Sequence, residues 1–279
     1  WVDRDRAHGC DTIHDDLYAR ALYLDDRGEE ALVLGFDLLF FSREEADRYK
    51  GAIGRVMDLS PRQILLNTSH THAGPKVGNW AYDPPPDPYY LQFLEQAIVT
   101  VAVQAREAAV EATLWAGMTH SELPMSRRLV GEGGEIEFRP NPAGTTCDAL
   151  PICLLRALDD KPVCLLFSVS CHPSTIGGHA ISADYPGVAM RALDAYLGQP
   201  VSLFLQGTGG DAKASVIGRG VTHWRKGTWE DVVEAGTMVA NAVTRRLEAG
   251  LTQVEPDLRA VSLEMHWPMQ PNIGLTGYK

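Results

Sequence analysis

The sequence predicts an α/β fold with a mixed, largely parallel sheet flanked by helices. Short apolar runs that suit buried strands alternate with longer segments of helical periodicity along the 279 residues. Residues 31–68 give strand, helix and strand in succession, a pattern for which parallel strands and a right-handed crossover are expected. The apolar content of 45% and the charged content of 22% are typical of a globular protein. We therefore expect a single domain over residues 1–279.

The N-terminal half contains the clearest helix start. Its predicted strands cover residues 16–25, 31–41 and 64–66. Ser42 and Glu45 have the spacing of a capping box, which begins a helix that continues to about Met57. A proline-rich stretch at residues 82–88 predicts an extended loop, and residues 89–112 predict a long helix with one apolar face.

The C-terminal half adds a hairpin, two helices and several strands. Its predicted strands cover residues 113–122, 152–157, 163–171, 201–205 and 258–266. The turn residues Asp159 to Pro162 join two of these strands into a hairpin. Helices are predicted from about Asp184 to Leu197 and over residues 228–249. Residues 124–150, rich in Gly, Pro and Asn, predict a lid or loop insertion.

Charge and composition restrict the classes of partner. The net charge of −11 argues against a nucleic-acid groove, although Arg127-Arg128 and Arg225-Lys226 are candidates for local basic patches. Apolar runs stay well short of the roughly 20 residues that span a bilayer, so we expect no transmembrane segment. A small molecule is therefore the expected partner, and the oligomeric state stays open.

Cysteine usage mildly favours a reducing compartment. The five cysteines are odd in number and never have the Cys-x-x-Cys spacing of a zinc ribbon or redox pair. We therefore favour a cytoplasmic location. Because the chain begins at Trp1 rather than Met, removal of a targeting segment stays an alternative.

Two histidines follow the predicted strand at residues 64–66. Ligands of open α/β sheets bind at the carboxyl ends of strands, and side chains at i and i+2 share one face of an extended backbone. His70 and His72 could hold one cation together, or one could bind the cation while the other handles a proton. Loop histidines that only form hydrogen bonds would show the same pattern, so that alternative stays open.

Other predicted strand ends carry polar groups toward the same edge. His172 follows the strand at residues 163–171, although a single such histidine is more often structural than a ligand. Asp37 is a candidate metal ligand, a group that orients an imidazole, or a carboxylate bonded to loop amides. It is the coincidence of several such strand ends at one edge that favours a functional site.

A glycine-rich loop follows the predicted strand at residues 201–205. Gly207, Gly209 and Gly210, with Ala212 in the last place, fit the dinucleotide fingerprint, but residues 213–222 have little helical character. We favour a different use, in which Gly207, Gly209, Gly210 and Asp211 bring backbone amides close to a substrate oxygen, as in an oxyanion hole.

Four motifs in order resemble the catalytic domain of the neutral/alkaline ceramidase family. They are Asn67 to Pro75 (NTSHTHAGP), Cys171 to Pro173 (CHP), Ile181 to Gly187 (ISADYPG) and Gln206 to Asp211 (QGTGGD). The resemblance covers most of residues 10–215, and its first motif is the most specific. It implies a catalytic domain in which a zinc ion activates water for attack on an amide carbonyl. In that family two histidines, a glutamate and a tyrosine hold the metal.

The resemblance implies roles for individual residues. His70 and His172 correspond to zinc ligands, and His72 to a residue that contacts the substrate or the developing oxyanion. The segment Ser126-Arg127-Arg128 is similar to the family's Asn-Arg-Ser, which makes Arg127 the candidate for polarising the carbonyl. Zinc is therefore the implied cofactor.

The sequence departs from the family at two places. Lys213 stands where ceramidases carry a serine, and a cation there would suit an acidic group on a smaller, more polar substrate. The glutamate and tyrosine ligands have only Glu264 and Tyr278 as late candidates, and a chain truncated at its C-terminus would lack the true ones.

These observations give one leading hypothesis and two alternatives. The leading one is a zinc-dependent hydrolase of the neutral ceramidase superfamily, with His72, Arg127 and Lys213 as catalytic candidates. The first alternative is a metal-dependent hydrolase of a glycoside or ester in a small polar or acidic substrate. The second is a non-catalytic protein whose metal site has decayed.

Overall fold

The structure is a computed structural model that describes residues 9–78 and 85–266. Within these residues helices flank several sheets, so the predicted α/β class with mixed sheets is confirmed. The described α-helices are α1 (Arg43–Met57), α2 (Pro88–Glu107), α3 (Asp184–Leu197) and α4 (Trp229–Glu248). None of the helices in this part of the chain has both the length and the apolar character needed to cross a bilayer.

The strands are short and follow one another closely. Those described are β1 (Thr12–Ile13), β2 (Ala19–Asp26), β3 (Glu29–Phe36), β4 (Ile64–Thr68), β5 (Ala112–His120), β6 (Pro124–Val130), β7 (Ile136–Asn141), β8 (Ala149–Ala157), β9 (Pro162–Val169), β10 (Ala180–Ile181), β11 (Ser202–Gln206), β12 (Ala212–Ala214) and β13 (Thr252–Val254). The largest described sheet has the order β11-β9-β8-β5-β13, and a second has the order β2-β3-β4.

The expected excess of parallel pairing needs correction. Parallel pairs occur where a helix separates the strands, as in β3-α1-β4 and β9-α3-β11. Most other described pairs are antiparallel, because tight turns join consecutive strands such as β2-β3 and β8-β9. These two parallel pairs nevertheless direct their carboxyl ends toward the segments that carry the histidines, while a third, short parallel pair joins β1 and β10.

The capping box of α1 is confirmed. The Ser42 hydroxyl accepts the Glu45 backbone N–H at 3.3 Å, and the Glu45 carboxylate accepts the Ser42 N–H at 2.8 Å. The strand predicted over 31–41 ends at Phe36. The helix α2 ends at Glu107 rather than at residue 112, because Ala112 is already the first residue of β5. Residues 82–84 of the predicted proline loop lie outside the described residues.

Two segments have a different structure from the one that the sequence predicted. The insertion predicted over 124–150 contains the antiparallel strands β6 and β7, and β12 pairs with the other edge of β6. The strands were not predicted because the segment is rich in Gly and Pro, many of which lie in or beside tight turns. A lid role for this segment stays a prediction. Residues 258–266 do not form the predicted strand; β13 takes the edge position beside β5 instead.

Two hydrophobic cores lie on either side of the junction between the main sheets. The larger core packs α3 and α4 against the five-stranded sheet and includes Tyr185 and Phe167. The second packs α1 and α2 against β3 and β4 and includes Tyr49 and Ile53. These buried helices fix the strands, and therefore the segments that follow them.

The sheets meet where β3 and β4 approach β11. Gly35 is required at this crossing, because a Cβ there would lie 2.6 Å from the Leu203 side chain and 3.2 Å from the Phe204 carbonyl oxygen. The Asn67 side chain accepts the Gln206 N–H at 2.8 Å and donates to the Gln206 carbonyl at 3.4 Å. The amide of Asn67 thus joins the carboxyl ends of β4 and β11.

Candidate metal centre

His70 and His172 meet at the carboxyl ends of β4 and β9. Their Nε2 atoms are 3.1 Å apart, and the ring centroids are 4.5 Å apart. Two imidazole nitrogens that bind one zinc ion at about 2.0–2.1 Å in tetrahedral geometry lie roughly 3.3 Å apart. The sequence-predicted convergence of these two histidines is therefore present in the structure.

Backbone carbonyls determine which ring nitrogen carries the proton. His70 Nδ1 lies 2.8 Å from the Leu39 carbonyl oxygen, and His172 Nδ1 lies 3.1 Å from the Gly209 carbonyl oxygen. Because a carbonyl oxygen only accepts, each Nδ1 must be the donor. In the neutral rings both Nε2 atoms therefore present lone pairs to each other, the arrangement of two metal ligands oriented by backbone acceptors.

The surroundings keep both rings neutral. Burial, with smaller contributions from nearby His70, Arg127 and Lys213, lowers the pKa of His172 to about 4 despite the hydrogen bond to the Gly209 carbonyl. Burial also lowers the pKa of His70, with Arg127 acting in the same direction. Protons therefore compete weakly for the two lone pairs at neutral pH.

His72 completes a group of three imidazoles. Its ring centroid lies 5.1 Å from that of His70 and 5.0 Å from that of His172. One ligand nitrogen from each of the three rings lies within 4.8 Å of the others. Three imidazoles with space beside them fit the donor set of a catalytic zinc site, which keeps one coordination position open.

The backbone of the first histidine segment is held tightly. His70 has a left-handed φ of 68°, which few residues other than glycine adopt without local support. The His70 N–H donates to the Leu38 carbonyl at 2.9 Å, and the His72 N–H donates to the Pro173 carbonyl at 3.1 Å. These bonds tie the segment after β4 to the segments after β3 and β9.

Two residues at the start of α3 support the His172 turn. The Asp184 carboxylate, which is fully buried, accepts the N–H groups of Thr175 and Ile176 at 2.8 and 3.1 Å. The Tyr185 hydroxyl donates to the Cys171 carbonyl at 2.8 Å. The chain on both sides of His172 is therefore anchored to one helix.

A cavity of about 420 Å³ opens beside the histidines. Its lining includes His72 and His172 together with Arg127 and Lys213. Burial, reinforced by neighbouring Arg128, lowers the pKa of the Arg127 guanidinium, and its backbone N–H donates to the Asp211 carbonyl at 2.9 Å. The structure thus brings the three predicted catalytic candidates, His72, Arg127 and Lys213, to one cavity.

The glycine-rich loop lies behind this cavity. The N–H groups of Gly207 and Gly209 donate to the carbonyls of Val169 and Gly207, at 3.1 and 2.8 Å. A Cβ at Gly209 would lie 2.8 Å from the Cys171 backbone nitrogen, so glycine allows the close approach through which its carbonyl reaches His172. Substrate contact by Gly207, Gly209, Gly210 and Asp211 stays a prediction. The loop runs into β12 and then a 3₁₀ turn, unlike the helix that follows a dinucleotide fingerprint.

The overall fold matches two solved structures of much longer proteins. One is neutral ceramidase from Pseudomonas aeruginosa, with a TM-score of 0.71 and 12% identity, and the other is a ceramidase complexed with C2, with a TM-score of 0.73 and 13% identity. The fold is ceramidase-like. Each match covers 88% of this chain but only 41% and 40% of the respective ceramidase chains. No family model and no curated protein matches the sequence.

The carboxylates considered as ligands lie apart from the three-histidine group found among the described residues. Asp37 Oδ2 accepts the Tyr18 N–H at 3.0 Å, and burial raises the Asp37 pKa to about 7. Glu264 is exposed and lies 4.0 Å from Arg43 at the start of α1. Tyr278 lies outside the described residues.

Much of the cavity wall consists of residues that were not predicted from the sequence to belong to a site. Residues 174–179 and 224–227 pair through a bridge between Ile176 and Gly227, and His179 and Trp224 line the cavity. A Cβ at Gly227 would lie 2.0 Å from the Thr175 carbonyl oxygen, so only glycine fits this contact. The predicted basic patches around Arg127 and Arg225-Lys226 were a usable signal, because both reach this cavity.

Proposed function

We propose that this protein is a zinc-dependent hydrolase that cleaves an amide-like bond, with His70 and His172 as metal ligands. The observation that carries the proposal is the 3.1 Å separation of the two Nε2 atoms, each of which is an acceptor because the Nδ1 of its ring donates to a backbone carbonyl. When bound there, zinc would supply a Lewis acid that activates water near neutral pH. The ceramidase-like fold and the shared histidine motifs support the same reaction class.

The two lone pairs require a cation between them. Two acceptors repel at this separation unless a proton or a metal ion lies between the rings. Burial, and to a smaller extent nearby His70, Arg127 and Lys213, disfavours an additional proton on His172 and lowers its pKa to about 4. Zinc binds neutral imidazole and gains from the fixed Nδ1 protons, so a metal is the better occupant.

The cavity residues have distinct parts in the proposed reaction. Arg127 places positive charge where a tetrahedral oxyanion would develop, and Lys213 adds a second cation to the same cavity. His72 faces the same cavity and can donate or accept a proton at the substrate, or add a third nitrogen ligand. We assign His72 to the substrate, in keeping with the position of this residue in the ceramidase motif.

Metal content and activity of matched variants test the proposal. Purified protein should contain stoichiometric zinc and hydrolyse small acyl amides, and His172→Ala should lose both. His120→Ala is the control, since His120 is exposed at the end of β5 beside Asp148. Full zinc content in His172→Ala would contradict the ligand assignment. Absence of zinc from the wild type even after zinc is added would favour the decayed-site alternative.

A further inference from the structure

We propose that the substrate is a small amide with an anionic group close to the scissile bond, and that Lys213 binds this group. The inference rests on the proposed hydrolase function and specifies its substrate class. A carboxylate and a phosphate share the required chemistry, a compact anion that accepts several charge-assisted hydrogen bonds.

The first observation is the charge of the cavity. Its cationic lining residues are Arg127, Lys213, Arg225 and Lys226. Among the described residues that line it there is neither Asp nor Glu, although the whole chain carries a net charge of −11. Positive charge is thus concentrated at this cavity, although the protein as a whole is negative. Such a local concentration of positive charge attracts an anionic ligand.

Arg225 contributes least to this attraction. Its guanidinium donates to both carboxylate oxygens of Asp231 and, at 2.8 Å, to the Val216 carbonyl. Asp231 in turn accepts the Thr228 N–H as part of the capping box of α4. Arg225 therefore fixes the wall of the cavity, and its charge is largely balanced.

Among the cationic residues that line the cavity, Lys213 is best placed to bind a charged group of the substrate. Its backbone forms a bridge with His172, so its side chain begins directly beside the proposed metal ligand. The ammonium lies 5.8 Å from the Phe138 ring centroid and 5.6 Å from the Trp224 ring centroid, and both rings line the cavity. These cation–π contacts hold the ammonium at the wall of the cavity, beside the aromatic rings.

Cavity size limits the rest of the substrate. The volume of about 420 Å³ lies toward the lower end of the roughly 300–1,000 Å³ typical of ligand pockets. Residues 174–179, which include Ser174, Thr175 and His179, line much of the remaining wall together with His72. A compact, polar, anionic amide suits this cavity better than an amide with long alkyl chains.

A panel of three amides of similar size tests the substrate class. N-acetylglycine carries a carboxylate, N-acetylated O-phosphoethanolamine carries a phosphate, and N-acetylethanolamine is neutral. The zinc-loaded wild type should hydrolyse at least one of the anionic amides with a kcat/KM roughly 10- to 100-fold above the neutral amide. The two anionic arms identify which anion the site prefers.

Substitutions at Lys213 test the assigned residue. Lys213→Met keeps the chain length but removes the charge, and should reduce the anionic-to-neutral ratio of kcat/KM roughly 10- to 100-fold, mainly through KM. Lys213→Arg should retain most of the ratio, which guards against a folding defect. Lys161→Met is the control, because Lys161 is exposed and pairs with Asp159 in the β8–β9 turn.

The outcomes separate this inference from the proposed function. Hydrolysis with a preference for the neutral amide, or an unchanged ratio in Lys213→Met, would overturn the inference and leave the hydrolase standing. If no amide is cleaved, the amidase proposal fails, and calorimetric binding of N-acetylglycine becomes the deciding measurement. Binding by the zinc-loaded wild type that weakens in Lys213→Met supports anion recognition; no binding overturns it.

Discussion

Asp37 and the histidine pair occupy equivalent places in the fold but face different surroundings. Asp37 follows β3, His70 follows the parallel neighbour β4, and His172 follows β9. Asp37 is only 3% exposed, and the cavity beside it measures about 10 Å³. His172 lines a cavity of about 420 Å³, and its Nε2 atom lies 3.1 Å from that of His70. A strand end becomes a candidate site only where its polar atoms converge beside usable space.

Stabilisation by zinc should give the largest difference between the Asp37 region and the histidine pair. Free zinc at about 1,000 times its dissociation constant stabilises a folded protein by about 4 kcal/mol. We expect this increase in the free energy of unfolding for wild type and Asp37→Asn, and none for His172→Ala. Denaturant unfolding with and without zinc measures it. Loss of the zinc effect in Asp37→Asn would place the carboxylate in the metal site after all.

The pH dependence of stability tests the assignment of Asp37 to the interior. Its pKa is raised from 3.8 to about 7 by burial, so between these values the unfolded chain releases a proton that the folded protein keeps. The free energy of unfolding should therefore fall as pH rises from about 4 to 7, by about 2–4 kcal/mol relative to Asp37→Asn, and then level off. A difference between the two proteins that stays constant over this range would contradict the buried, protonated carboxyl.

Asp184→Asn should affect both stability and the metal centre. Its carboxylate oxygens together accept three backbone N–H groups, and an amide NH₂ must deprive at least one of them of its acceptor. We expect a destabilisation of about 2 kcal/mol and a loss of zinc affinity of roughly 10-fold, since the Thr175–Ile176 turn follows His172. Zinc titration at matched folded fraction measures the second effect. Unchanged zinc affinity would show that the turn does not orient His172.

Asn67→Ala should give the smallest effect. The variant removes two hydrogen bonds between the carboxyl ends of β4 and β11, which we expect to cost about 1 kcal/mol. Asn241→Ala, at an exposed position on α4, is the matched control and should change stability by less than about 0.5 kcal/mol. Equal effects in the two variants would mean that Asn67 does not join the sheets.

Much of the local structure could be predicted from the sequence. The Ser42 capping box, the β3-α1-β4 unit and the β8–β9 hairpin depend on residues close together in the chain, so their patterns are readable. The convergence of His70 and His172 was predicted too, but for a single sheet edge; β4 and β9 belong to different sheets, and their carboxyl ends meet because β3 and β4 pack beside β11. Here the ceramidase-like motifs and strand positions gave the same prediction.

The remaining features depend on contacts that a linear pattern does not encode. Among the described strands, β6 pairs with β7 on one side and with β12 on the other, and the turn residues of this segment made it look irregular. The cavity wall joins residues 174–179 to residues 224–227 about fifty positions later through a single bridge. The burial of Asp37 depends on Tyr18 from a neighbouring strand connection. Such long-range pairings are decided by packing rather than local propensity.

Anomalous scattering from zinc-treated crystals tests the central claim most directly. We predict a single strong zinc peak between the imidazoles of His70 and His172, about 2.0–2.1 Å from each Nε2. The His120→Ala protein should show the same peak, and His172→Ala should lose it. A zinc peak elsewhere in the protein, with the two Nε2 atoms still in direct contact, would contradict the account.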